Sequence, residues 1–122
     1  MPDFRKLKVW HKAHALSLRI DDVAERLAAK NPELAKQLER ACAAIPAAVA
    51  EGRGRSTDKD FARYVSMESA RRPRARAQRA FDKGLIAEGE HRSLTEAIVE
   101  VRKMLVGLRN ALNGRPRPEA PG

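Results

Sequence analysis

The sequence RACAAIPAAVAEGRGRS, residues 40–56, changes character halfway along its length. Its first part is almost entirely small and apolar, and a helix that is apolar on all sides belongs in a packed interior. Small side chains also let neighbouring backbones approach closely, so we expect residues 41–50 to form the central helix of a bundle. Because proline lacks a backbone donor, Pro46 predicts a local kink in that helix.

The second part of this stretch predicts a positively charged corner. Gly52 follows Glu51 and suits a left-handed cap, so we expect the helix to end there. Arg53 and Arg55 come next and form a short cationic loop that leads into the following helix. Three explanations stay open for Glu51. It caps or pairs with Arg55, it forms a buried pair with Arg40, or it contacts a neighbouring subunit.

Composition places the whole chain in the all-α class. The chain has 122 residues, enough for one domain with a real core, but only 4% of them are aromatic. Aliphatic and alanine side chains must therefore supply the core. Strand-forming residues are sparse and no alternating apolar run is visible, which favours helices throughout.

Apolar periodicity divides the chain into four helices. Residues 7–29 carry a seam of apolar side chains at spacings of three and four, and residues 88–112 repeat leucine, isoleucine and valine at the same spacings. Between them we expect a second helix over residues 32–51 and a third from about residue 56 to residue 83. A proline inside the third helix predicts a kink or interruption near Pro73.

Capping residues and short connections complete the predicted architecture. Asn31 is suited to cap the second helix with Pro32 at its first position, and Gly84 is a candidate cap after the third. Short connections favour antiparallel neighbours, so we predict an up-down-up-down four-helix bundle over residues 4–113. The proline-rich tail, residues 114–122, is expected to be disordered.

The excess positive charge is concentrated in one part of the chain. The formal net charge is +9, and residues 53–83 hold ten basic against four acidic side chains. Helix N-termini and guanidinium groups both bind phosphate oxygens, which predicts a nucleic-acid-binding surface. Its expected residues are Arg53, Arg55, Lys59, Arg63, Arg71, Arg72, Arg74 and Arg76. A solvated basic face that only keeps the protein soluble is the alternative.

No set of side chains predicts catalysis or metal binding. Cys42 lies among alanines and resembles a small core residue rather than a nucleophile. His11 and His14 are three residues apart, but no further ligand at matching spacing completes a metal site, so we expect polar or partly buried histidines. We therefore expect a non-enzymatic protein without a cofactor, a metal or a small-molecule substrate.

The compartment is predicted from the same residues. The chain has one cysteine, no visible signal peptide and no apolar stretch of transmembrane length. We expect a cytoplasmic protein that does not enter a membrane.

Two blocks of the sequence resemble a known family. LKVWHKA, residues 7–13, is similar to an opening of the form L-x-V-W-x-x-A, and residues 37–52 are similar to a Q-x-x-R-A-x-x-S-I-P-x-N-I-A-E-G block. FARYV, residues 61–65, and KML, residues 103–105, resemble parts of that family's third and fourth helices. Over about residues 4–112 the chain resembles the four-helix-bundle family encoded within intervening sequences of bacterial 23S rRNA genes.

The resemblance implies a function as well as a fold. Members are similar to the accessory protein of diversity-generating retroelements, which implies homo-oligomers, commonly pentameric rings, with a basic surface for nucleic acid and no enzymatic activity. The family-like polar cluster consists of Arg40, Glu51, Gly52 and Arg55. The chain departs from the family pattern at Ala44 and Ala48, which replace serine and asparagine, and over residues 70–80, which are rich in arginine.

These observations together predict an oligomeric helical bundle that binds RNA or DNA mainly through phosphates, without strong sequence specificity. A ring-forming scaffold that binds an acidic protein partner is the alternative.

Overall fold

The computed structural model describes residues 7–54, 57–64 and 68–112, which form five helices and no strand. The helices are α1 (Lys8–Ala28), α2 (Pro32–Arg53), α3 (Asp58–Tyr64), α4 (Glu68–Asp82) and α5 (Glu88–Leu112). The all-α class predicted from composition is therefore confirmed. The predicted tail, residues 114–122, lies outside the described residues, as do Arg55 and Ser56.

The helices pack as a bundle with four positions. Among the described residues, α1 contacts α2 and α5, and both α3 and α4 also contact α2 and α5 but not α1. Consequently α3 and α4 share the position diagonal to α1. Helices α1 and α5 run antiparallel, because Lys12 Nζ lies 3.2 Å from Glu100 Oε1 and Arg26 forms an ion pair with Glu90 further along.

One hydrophobic core joins the helices. The predicted seam of α1 is confirmed, since Ile20 and its apolar neighbours at spacings of three and four are buried. Leu94, Ile98 and Leu105 are the matching residues of α5, and the predicted bounds of that helix agree with the observed ones. Aliphatic side chains therefore supply most of the core, as the scarcity of aromatic residues predicts.

The junction between α1 and α2 follows the sequence prediction. The Asn31 side chain accepts a hydrogen bond from the backbone N–H of Leu34 at 3.0 Å, and Pro32 is the first residue of α2. This bond satisfies one of the N–H groups that a helix start leaves without a partner. The tight connection sets α1 and α2 side by side, and among the described residues these two helices make the most extensive contact in the bundle.

The predicted end of α2 is wrong. The helix continues through Gly52 to Arg53 and is followed by Gly54, whose φ of −79° is right-handed. Gly52 is buried within the helix and is not a left-handed cap. The left-handed glycine of the described residues is Gly84, with a φ of 72°.

Gly84 ends α4 as predicted. Its N–H donates to the carbonyl of Phe81 at 2.8 Å, and the N–H of Leu85 donates to the carbonyl of Ala80 at 2.9 Å. This pair of bonds is a Schellman motif, which satisfies two carbonyl groups at the helix end. The motif turns the chain sharply and brings the start of α5 beside the end of α4.

The interruption predicted near Pro73 is also wrong, whereas the alternative of a kink there stays a prediction. Helix α4 continues through Pro73, whose ring is almost fully buried. Burial of the apolar ring offsets the backbone hydrogen bond that proline cannot donate. Between α3 and α4, residues 65–67 lie outside the described residues.

Helix α2 is not buried on all sides. Ile45 and Val49 face the core, but Ala43, Ala44 and Ala47 are exposed. Alanine is compatible with either environment, so an alanine run does not by itself show which side faces the core. In the described part of the chain, no helix combines the length and apolar character needed to cross a membrane.

Candidate nucleic-acid interface

Helix α4 separates its small residues from its arginines. Pro73, Ala77 and Ala80 are buried against the bundle. The arginines of this helix lie on its other sides, because side chains three and four residues apart share one face. Arg71, Arg72, Arg74 and Arg79 are exposed and Arg76 is half-buried.

Four cations follow one line along α4 and the turn after it. Arg72, Arg76, Arg79 and Lys83 are spaced by four, three and four residues, so each lies about 4.5–6 Å along the axis from the next. Arg71 lies opposite the buried side of α4, and Arg74 lies about half a turn around the helix from Arg72. Asp82 is the one acidic residue between residues 71 and 83, and its carboxylate accepts a hydrogen bond from Gln78 Nε2 at 2.8 Å. We call Arg71, Arg72, Arg74, Arg76, Arg79 and Lys83 the α4 basic surface.

The sequence prediction covers only part of this surface. It included Arg71, Arg72, Arg74 and Arg76 but missed Arg79 and Lys83. The helical spacing that links Arg79 and Lys83 to Arg72 was a usable signal, but the expected break at Pro73 concealed it. The structure brings all six residues onto one continuous segment.

Acidic neighbours offset the positive charge of two predicted residues on α3. Lys59 and Arg63 are exposed on the same side of α3, and Thr57 caps the helix by accepting a hydrogen bond from the N–H of Asp60 at 3.1 Å. However, Arg63 Nη1 lies 3.6 Å from Asp60 Oδ1, and Asp58 is also exposed beside Lys59. Helix α3 therefore adds little net charge to the positive strip that the sequence predicts.

Arg53, at the end of α2, contacts the aromatic ring of Phe61 on α3. Its guanidinium carbon lies 5.9 Å from the centre of the Phe61 ring, within the range of a cation–π interaction. Arg53 is half-buried, and its Nε is buried without a hydrogen-bond partner among the described residues. Arg53 therefore links α2 to α3 in addition to contributing charge, whereas Arg55 lies outside the described residues.

The residues of the family-like polar cluster do not form one site within the subunit. Arg40 and Glu51 are both exposed on one side of α2. They are eleven residues apart, about 16 Å along the helix. The alternative of a buried Arg40–Glu51 pair is therefore wrong. Gly52 is buried, and Arg55 is not described.

The histidines of α1 contact Trp10 rather than a set of metal ligands. The His14 ring stacks on the Trp10 ring at 4.7 Å between centroids, and the His11 ring lies at 5.3 Å, edge to face. Both histidines are exposed. Within the described residues, no group of three or more histidine, cysteine, aspartate or glutamate side chains could hold a metal ion.

Cys42 is a core residue, as predicted. It is only 1% exposed, and burial raises the pKa of its thiol to about 12, with a smaller contribution from the charge of Asp21. A thiol with so high a pKa is protonated at neutral pH and is a poor nucleophile.

An aromatic pair near the α4 basic surface was not predicted. The rings of Phe81 and His91 stack with centroids 4.5 Å apart and an interplanar angle of 10°. The contact depends on the turn at Gly84, which brings α5 back beside α4. No local sequence pattern indicates it.

Comparisons with known proteins agree with the bundle and its family resemblance. The family model described as 23S rRNA-intervening sequence protein matches residues 5–107. Among solved structures, the chain is similar to a protein of unknown function from the S23 ribosomal protein family of Bacteroides thetaiotaomicron VPI-5482. The TM-score is 0.77 at 19% identity, covering 83% of this chain and 97% of that chain. At this identity the likeness shows the fold alone. No curated protein matches the chain.

The family match extends from the start of α1 into the last part of α5, and it includes both blocks that carry the sequence resemblance. The chain therefore belongs to the family of 23S rRNA-intervening sequence proteins.

Proposed function

We propose that this protein is a non-enzymatic homo-oligomer that binds RNA or DNA through the α4 basic surface, without strong sequence specificity. The observation that carries the proposal is that the α4 arginines lie on the sides of the helix not occupied by the buried Pro73, Ala77 and Ala80, where all but the half-buried Arg76 are exposed. Because α3 and α4 both pack against α2 and α5, their exposed sides point away from those helices, on the side of the bundle opposite α1. A polyanion can therefore reach this charge from solvent, and the line from Arg72 to Lys83 follows one side of α4.

The chemistry of the surface favours phosphate recognition. A guanidinium group presents several N–H donors in a planar fork that matches phosphate oxygens. Contacts to phosphates carry no direct sequence information, so such a surface binds many sequences with similar affinity. The regular spacing of the cations along α4 suits the repeating charge of a nucleic-acid backbone.

The exposed alanines of α2 support the homo-oligomer. One side of α2 is flat because it consists of Ala43, Ala44 and Ala47. A helix of a second subunit could approach this side closely. The resemblance implies a ring of five subunits, and a ring would repeat the α4 basic surface around its circumference. Repetition of a weak site raises the overall affinity for a long polyanion.

Salt-dependent binding tests the proposal directly. We would titrate fluorescently labelled duplex DNA and single-stranded RNA with the protein and follow anisotropy between about 50 and 200 mM salt. If about five phosphates are neutralised, the logarithm of the association constant should fall against the logarithm of salt with a slope near −4 to −5 on duplex DNA. A slope near zero, or no binding at the lowest salt, would contradict the proposal.

A further inference from the structure

A groove lies between the end of α4 and the first half of α5. Its volume is about 310 Å³, and it is lined by Phe81, Glu88, His91, Arg92, Thr95 and Glu96. The stacked rings of Phe81 and His91 are both half-buried, so they are held in place but not covered. The hydroxyl of Thr95 lies 3.5 Å from His91 Nε2, one turn further along α5.

We propose that this groove binds an unpaired nucleobase of a single-stranded nucleic acid, stacked against the Phe81–His91 pair. The inference rests on the proposed function, because the strand is held next to the groove by Arg74, the residue of the α4 basic surface on the same side of α4 as Phe81. It adds that the bound nucleic acid is single-stranded and that one class of base is preferred.

The groove lies on the same side of α4 as one of the arginines. Arg74 precedes Phe81 by seven residues, two helical turns, so both lie on the same side of α4 about 10 Å apart along the axis. Arg74 is exposed. A strand whose phosphates contact Arg74 therefore has a base within reach of the groove one or two nucleotides further on. Sites for single strands combine a cationic track with aromatic platforms in this way.

The charged residues of the groove favour a base over a phosphate. Glu88 and Glu96 are exposed there, and Arg92 Nη2 lies 3.1 Å from Glu88 Oε1. Two carboxylates repel phosphate, but they accept hydrogen bonds from the amino groups of bases. The groove is therefore suited to the base and not to the backbone. Cytosine carries such an amino group where uracil has a carbonyl, so cytosine is preferred over uracil.

Only an unpaired base can enter the groove. In a duplex the bases are stacked on one another and are not free to enter a groove, whereas single strands can place a base on an aromatic side chain. The volume of the groove lies at the lower end of the range for small-molecule sites, which fits one base with its sugar.

The test compares three labelled ligands of equal length: oligo(C), oligo(U) and an RNA duplex. Anisotropy would be measured for the full-length protein and for the variants His91→Ala, His91→Phe and Glu96→Gln. His11→Ala is the control, since His11 also contacts an aromatic ring but lies exposed on α1. Circular dichroism would verify that each variant is folded.

We expect the unmodified protein to bind oligo(C) several-fold more tightly than oligo(U). His91→Ala should weaken oligo(C) binding about five- to tenfold without changing the salt slope or duplex binding, because stacking involves no counterion release. His91→Phe should retain binding, Glu96→Gln should reduce the preference for cytosine, and His11→Ala should change nothing.

The two proposals fail in different ways. Equal affinity for oligo(C) and oligo(U), with no effect of His91→Ala on single strands, overturns the groove proposal and leaves the proposed function intact. The absence of binding to all three ligands at low salt overturns the proposed function, and the groove proposal with it.

Discussion

Cys42 illustrates how burial controls the chemistry of one residue. An unfolded thiol loses its proton near its ordinary pKa of 9.0, whereas the buried thiol keeps its proton up to a pKa of about 12. Above about pH 9 the folded state therefore holds a proton that the unfolded state has released. The thiol consequently lowers the stability of the fold as the pH rises through this range.

We expect Cys42 to resist a thiol reagent such as dithiobisnitrobenzoate at about pH 8 in the folded protein and to react at once in denaturant. Urea unfolding of the unmodified protein should lose more stability between about pH 8 and pH 10 than unfolding of Cys42→Ala, which lacks the titrating group. Rapid labelling of the folded protein would contradict the buried position of this thiol.

Gly84 has a conformation that other residues adopt only with strain. Its φ is 72°, and a Cβ added there would meet nothing within 4 Å, so backbone strain is the only penalty for a side chain. Gly84→Ala should lower the free energy of unfolding by about 1–2 kcal/mol, measured by urea denaturation. Gly107, exposed within α5 with equally open surroundings, is the control. Gly107→Ala should raise stability by about 0.5–1 kcal/mol. The same sign for both variants would refute this explanation.

At the scale of the helix, predictability follows the contrast between buried and exposed residues. The bounds of α5 are predictable because large apolar residues such as Leu94 and Leu105 recur every three or four residues, with charged residues between them. The sides of α2 could not be predicted from its alanine run, since alanine is tolerated both inside and outside. The arginine-rich part of α4 gave a misleading signal, because burial of Pro73 depends on the helices that pack against it.

The candidate site was partly predictable for the same reason. Charge counts located the basic segment, and the arginines around Pro73 were identified. The stacking of Phe81 on His91 depends on tertiary packing at the Gly84 turn, and no count of residues reveals it.

The exposed side of α2 gives an element-scale prediction. We expect Ala47→Glu to reduce the molar mass measured by light scattering to that of one subunit, because a charge would be buried in a close helix contact. Ala28→Glu, a similar change at an exposed alanine of α1, should leave the mass unchanged. A single-subunit mass for the unmodified protein, or equal effects of both variants, would argue against self-association through α2.

At the scale of the whole molecule, the bundle separates its charges by position. The ion pairs Lys12–Glu100 and Arg26–Glu90 balance charge between α1 and α5. The α4 basic surface, on the side opposite α1, carries several arginines with one acidic residue among them. More than half of the formal net charge of +9 therefore lies on residues 71–83, the segment that the proposed function uses for binding.

The most direct test of this account compares two variants that each remove two positive charges. Arg72→Gln with Arg79→Gln alters the α4 basic surface, and Lys8→Gln with Lys30→Gln alters exposed residues at the two ends of α1. We would measure the salt dependence of binding to one labelled RNA. The account predicts that the α4 variant loses at least about tenfold in affinity and about two units of slope, while the α1 variant stays close to the unmodified protein. Equal losses in both variants would show that net charge alone governs binding, and would contradict the account.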